Sequence, residues 1–148
     1  MITAVLDTNV LASGFVRSNP AAAPVQLIDA WRANVYQLVV SEYILTELAR
    51  TFDEPYFRRR LTSEQMANDL QLLRRQAVIT LMNAHVSGVA THPEDDPILV
   101  TAISAKAQYL VTGDDKLREL RAYRGVTIAS PREFLDTLQA EGGQRGKS

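Results

Sequence analysis

The chain contains no cysteine, which excludes disulfides and cysteine-ligated zinc and fits a reducing cytoplasm. Its two histidines, His85 and His92, stand at a spacing that matches no standard metal signature, so both read as surface residues or outer supports of a site rather than as ligands. Long apolar runs are missing too: stretches such as Val35 to Val40 are far too short to span a bilayer, and the N-terminus is a strand pattern without a basic leader. A cytoplasmic protein with no membrane partner is expected. No glycine-rich phosphate loop ending in lysine and serine or threonine is present. The net charge of -1 gives no global attraction for nucleic acid, so any such contact has to be local. Arg58-Arg59-Arg60, Arg74-Arg75 and Arg17 are the places for it, although each cluster judged alone is ordinarily a solvated face.

What is there is an ordinary globular composition. The 148 residues, 46% hydrophobic and 22% charged, are enough for one domain with its own core, and nothing demands a second. Strand-like segments at Ile2 to Leu6, Val35 to Val40, Tyr109 to Thr112 and Val126 to Ile128 alternate with helical stretches, and a weaker strand is expected within Val86 to Ala90. That alternation implies an α/β fold with a mostly parallel central sheet and helices on both faces. Ser41 is placed to cap a helix whose Ile44, Leu45, Leu48 and Phe52 form one stripe. Thr62 with Gln65 makes a capping box before a helix carrying Met66, Leu70, Leu73 and Ala77 on its buried face. Pro97 to Ala107 is apolar almost all round, as a covered helix is. Pro131 after Ser130 opens a closing helix over Arg132 to Ala140. The expected domain is 1–140, and the polar, glycine-rich residues 141–148 read as a disordered tail.

Acidic residues recur where elements end. Asp7 follows the first apolar run, Asp114 follows the run at Tyr109 to Thr112, and Asp96 opens a helix. Ligands of parallel sheets bind outside the carboxyl ends of the strands, where Asp7 and Asp114 would both lie. Oxygen-only ligands suit magnesium or manganese, whereas zinc prefers histidine or cysteine. An aspartate after a strand is often only a turn former or helix cap, and Glu47 and Glu42 both border the same apolar stripe, so spacing does not choose between them.

The segments Val5-Leu6-Asp7-Thr8-Asn9-Val10, Val39-Val40-Ser41-Glu42 with Leu45-Thr46-Glu47-Leu48, Pro93-Glu94-Asp95-Asp96, and Tyr109-Leu110-Val111-Thr112-Gly113-Asp114 resemble, in order, the motifs of the PIN-domain nucleases. More narrowly the chain is similar to the VapC-like toxins of toxin-antitoxin systems. The resemblance runs from Ile2 to Leu138 and includes Tyr123-Arg124-Gly125-Val126 and Pro131-Arg132-Glu133-Phe134-Leu135. It implies that Asp7, Glu47, Asp96 and Asp114 form an acidic site for one or two Mg²⁺ or Mn²⁺ ions, with Asp95 and Asp115 as secondary candidates and Thr8, Asn9, Ser41 and Thr112 as polar support. It further implies endoribonuclease activity on single-stranded RNA, a cognate antitoxin as partner, and a homodimer. Two positions depart from the subfamily pattern: His92 stands where an aspartate is common before the proline, and Lys116 where a further aspartate is frequent, Asp115 being displaced by one position.

Other readings fit less well. A haloacid-dehalogenase-type phosphatase needs a second aspartate two residues after the first, where this chain has Asn9. A receiver domain needs an acidic pair at the first strand together with a separate phosphoacceptor and lysine arrangement that cannot be assembled here. A catalytically silent binding module of the same fold is the alternative of a different class, and a housekeeping RNA-processing nuclease is the alternative to the toxin role. Trp31, Tyr36 and Tyr43 could stack bases, although aromatic residues so placed are more often core.

Overall fold

The computed structural model describes residues 1–84 and 96–145. These form, in chain order, β1 (Thr3–Leu6), α1 (Thr8–Phe15), α2 (Ala23–Arg32), β2 (Gln37–Val40), α3 (Glu42–Phe52), α4 (Pro55–Arg58), α5 (Ser63–Gln76), β3 (Val78–Ile79), α6 (Asp96–Ser104), β4 (Tyr109–Val111), α7 (Asp115–Arg118), β5 (Ala122–Tyr123), β6 (Val126–Ala129) and α8 (Pro131–Arg145). The strands make one sheet in the order β3-β2-β1-β4-β6-β5. Every pairing is parallel except β5 with β6. The fold class is therefore the expected one: a mostly parallel sheet with helices packed on it.

Val5 and Leu6 of β1, Leu38 to Val40 of β2 and Leu110 and Val111 of β4 are almost wholly buried, as continuous apolar strands must be when both faces of a parallel sheet are covered. The stripe on α3 is buried as its spacing requires, with Ile44, Leu45, Leu48 and Phe52 all in the core. Thr62 and Gln65 exchange both bonds of the capping box, at 2.8 and 3.0 Å. Close packing of α1 on α2 depends on Gly14. A Cβ there would come within 2.5 Å of Ile28 Cγ1 and 2.7 Å of the Pro24 carbonyl. Trp31 and Tyr36 are core residues, and the Tyr36 hydroxyl donates to the Leu27 carbonyl at 2.8 Å.

Several boundaries differ from the sequence expectation for identifiable reasons. β2 begins at Gln37 rather than Val35, because Val35 closes α2: its N–H bonds the Ala30 carbonyl and that of Asn34, at φ 61°, bonds Trp31. This is a Schellman end with asparagine in the left-handed position. Lys106, at φ 53°, ends α6 in the same way through Ala107 to Ala102 and Lys106 to Ile103, so the helix stops at Ser104 and not at Ala107. α5 stops at Gln76, and Ala77, expected on its buried stripe, is the cap before β3. The β-branched pair Val78-Ile79 pairs with Val39 and Val40 instead. β5 was not expected. It turns back to β6 through Arg124 and Gly125, at φ 48° and 82°, the pair of positive values that a tight two-residue hairpin needs. α8 runs on to Arg145, so the chain is helical across Gly142 and Gly143, where a tail was expected from 141. Glycine costs a helix about 1 kcal/mol per residue, but an established helix gains a hydrogen bond with each residue added. The expected strand within Val86 to Ala90 lies outside the described residues, as do His85 and His92. Among the described residues no helix is long and apolar enough to cross a membrane.

Candidate active site

β1 is the first strand and lies between β2 and β4, so the chain winds away from it in both directions. The crevice at the carboxyl end of such a switch point is where open parallel sheets bind ligands. Leu6 pairs with Val111, so the residues that follow each strand, Asp7 and Thr112, emerge side by side.

Asp7 is held from three directions. Its own N–H donates to the Val111 carbonyl at 2.9 Å. Oδ1 accepts the Val10 N–H at 2.9 Å, which makes Asp7 the N-cap of α1, and Oδ2 accepts the Thr112 hydroxyl at 2.5 Å. Only 8% of the residue is exposed. Burial pushes its carboxyl above the usual range, and the negative charge of Asp114 adds to that, while the hydrogen bonds from Thr112, Val10 and Gly113 oppose it. A carboxylate oxygen has more than one acceptor site, so each oxygen of Asp7 can still take another partner.

Thr112, fully buried, accepts the Asp114 N–H at 3.0 Å while it donates to Asp7. Asp114 in turn caps α7 by accepting the N–H groups of Lys116 at 2.9 Å and Leu117 at 3.4 Å. Asp7 and Asp114 therefore stand just past the carboxyl ends of neighbouring strands, linked through one hydroxyl.

A cavity of about 280 Å³ opens beside Asp7 and is lined by Thr8, Asn9, Tyr43, Glu47, Thr51, Glu54 and Ile98 as well. Glu47 and Asp7 thus face the same space. Glu42, its rival in the sequence, is exposed and forms a two-pronged pair with Arg74 of α5 at 2.8 and 3.0 Å. Glu47 accepts a hydrogen bond from Arg50 at 2.9 Å. Thr51 and Glu54 are not among the residues the sequence points to, and Tyr43 figures there only as a base-stacking aromatic more often found in a core. Their signal was available: with Glu47 they recur at intervals of four, four and three, one face of a helix continued just past its end.

The remaining expected residues take separate positions. Asp96 is the first residue of α6, two positions before the cavity-lining Ile98. Ser41 is buried and caps α3 through the Ile44 N–H, and its hydroxyl lies 2.8 Å from Thr101 Oγ1, which itself donates to the Pro97 carbonyl. That joint fixes the start of α3, and hence Glu47, against the start of α6, and hence Asp96. Asp115 is exposed and paired with Arg118 rather than facing the cavity. Asp95 lies outside the described residues. Among the described residues, no three carboxylate or histidine groups are close enough to form a ready metal cage. What the chain does assemble is a buried carboxylate, a second acid across a polar cavity and a third within electrostatic reach. This oxygen-only donor set suits a hard divalent cation.

The PIN domain model matches residues 3–116. Among solved structures, a chain of the VapBC2 complex from Rickettsia felis, crystallised with a DNA fragment from their promoter, is similar in fold. The TM-score is 0.57 at 16% sequence identity, over 87% of this chain and 98% of that one. No curated protein matches the sequence. With its motif strands and helix starts at one sheet edge and the family model spanning most of its length, the chain belongs to the PIN-domain family.

Proposed function

We propose that the protein is a metal-dependent endoribonuclease that cleaves single-stranded RNA in the cytoplasm, as the toxin of a toxin-antitoxin pair. The single observation that carries this reading is the buried Asp7 carboxylate facing Glu47 across a polar cavity, with Asp114 tied to it through Thr112. Membership in the PIN family and likeness in fold to a chain of a VapBC complex support it.

Asp7, Glu47, Asp96 and Asp114 would hold one or two Mg²⁺ or Mn²⁺ ions, with Asp115 turned to Arg118 and so a weaker choice. When bound, such an ion supplies a water nucleophile at neutral pH and offsets the charge of a phosphodiester. The chain's own residues do the positioning. Val10 and Thr112 fix both oxygens of Asp7, so little reorganisation is needed when a ligand arrives. Burial makes an unaccompanied charge on Asp7 unfavourable, which favours whatever cation neutralises it. Thr8, Asn9 and Thr51 supply hydroxyl and amide groups to the cavity wall, which Tyr43 and Ile98 complete. The same reading assigns a cognate antitoxin as inhibitor and a homodimer as the working assembly.

The test is cleavage of a single-stranded RNA pool by the full chain with Mg²⁺ or Mn²⁺, stopped by EDTA and restored by excess metal. Undiminished cleavage in EDTA, or none with either ion, contradicts the proposal. Mass measurement in solution and co-purification with the product of the adjacent gene test the homodimer and the antitoxin independently.

A further inference from the structure

The run Arg58-Arg59-Arg60 falls at the corner between α3 and α5, directly after the cavity wall. Glu54 lines the cavity and Tyr56 is two residues on, within about 8 Å along the backbone. Phe57 anchors the corner: it is 6% exposed and packs edge-on against Phe52, with ring centroids 6.3 Å apart. Tyr56, by contrast, is 48% exposed. The Arg60 guanidinium lies 3.7 Å from its ring centroid and donates to the Tyr56 carbonyl at 2.8 Å. Arg58 has one acidic neighbour, Asp53 at 3.8 Å, and Arg59 is exposed with no ion pair among the described residues. A buried anchor thus holds an exposed aromatic–guanidinium stack and at least one uncompensated cation beside an acidic cavity, in a chain whose net charge is -1.

We infer that Tyr56, Arg59 and Arg60 form the surface on which single-stranded RNA is held as it enters the cavity, Tyr56 with Arg60 offering a stacking face for a base and the two arginines engaging phosphates. This rests on the ribonuclease reading and adds the residues that would hold the substrate. An acidic site repels a polyanion, so binding needs fixed cations close by. Unpaired bases stack on aromatic rings and on guanidinium planes, and such stacking tolerates any sequence. The corner is cationic and flat-faced rather than apolar, which favours a nucleic acid over a protein segment.

The experiment follows a fluorescein-labelled, random-sequence single-stranded RNA by anisotropy, using the full chain in EDTA across a salt series. Arg59→Ala with Arg60→Ala should weaken binding roughly tenfold and lower the slope of log K against log salt by about 1.4, at about 0.7 per phosphate contact. Tyr56→Leu should weaken it at least about fivefold with the slope unchanged, and Tyr56→Phe should match wild type. Lys106→Gln removes one exposed charge at the opposite, amino edge of the sheet and should change neither quantity. If Tyr56→Leu fails to fold by circular dichroism, the arginine pair and its slope decide. Wild-type binding that the arginine pair leaves intact, an equal loss in Lys106→Gln, or loss of a co-purifying protein with RNA binding unchanged overturns the role of the corner alone. Absence of wild-type binding even at low salt overturns the corner, whereas the ribonuclease reading falls only if cleavage with Mg²⁺ or Mn²⁺ is also absent.

Discussion

Thr112 donates its hydroxyl to Asp7 at 2.5 Å and accepts the Asp114 amide at 3.0 Å, so one buried side chain joins the acidic ends of two neighbouring strands. The bond to Asp7 lowers a carboxyl pKa that burial raises. Removing it strands a buried charge.

Thr112→Val is therefore expected to lower stability at pH 7 by roughly 1.5–3 kcal/mol, the range for a hydrogen bond to an ionised group. Without the Thr112 bond the Asp7 pKa rises further. Since a raised pKa means stability that is lost as pH increases, the deficit should shrink toward pH 4, where Asp7 protonates more readily. Urea unfolding at both pH values checks this, and an equal deficit at both would contradict it.

Gly14→Ala tests the contact between α1 and α2. Alanine is the better helix former by about 1 kcal/mol. The new methyl, however, meets both Ile28 and the backbone oxygen of Pro24, and the latter cannot yield without moving α2. Net destabilisation of about 1–3 kcal/mol is expected. A melting temperature equal to or above wild type would show that the helices are not packed so closely.

Asp69 of α5 gives a pH dependence remote from the acidic cavity. Burial pushes its carboxyl up to about 6, against the opposing charges of Arg32 and Arg17. The native state then binds more protons than the unfolded chain between pH 3.8 and about 6, so this residue's contribution to stability is intact below the window and falls as pH rises through it. Asp69→Asn should flatten that fall and leave the protein more stable than wild type at pH 7. Denaturation midpoints of the two proteins that run parallel from pH 4 to 7 would refute it.

How much of this was legible beforehand depends on whether the cause is local. Asp7 and Asp114 could be placed because a carboxylate after a buried apolar run lands at the carboxyl edge of a parallel sheet, and β1 and β4 proved to be neighbours. Glu47 could not be separated from Glu42 by periodicity. The fold separates them: Glu42 is exposed and paired with Arg74 on another helix, while Glu47 lines the cavity. Thr101 escaped notice because its tie to Ser41 joins residues far apart in sequence. The two-residue strands β3 and β5 are too short to carry an alternation. The helix end at Asn34 follows a residue type that accepts left-handed backbone, whereas Lys106 takes the same conformation with nothing in its residue type to announce it.

The assignment of Asp7 as the centre of the site is tested most directly by Asp7→Asn, which keeps the side chain's size and its capping role while removing the charge. RNA cleavage should be lost across a full Mg²⁺ and Mn²⁺ titration. In EDTA the variant should melt higher than wild type at neutral pH, because the raised Asp7 pKa costs the native state stability above the usual carboxylate range and asparagine has no such cost. Measured together on the folded variant, no cleavage with a higher melting temperature is the predicted result. Wild-type rates at any metal concentration would contradict the role given to Asp7.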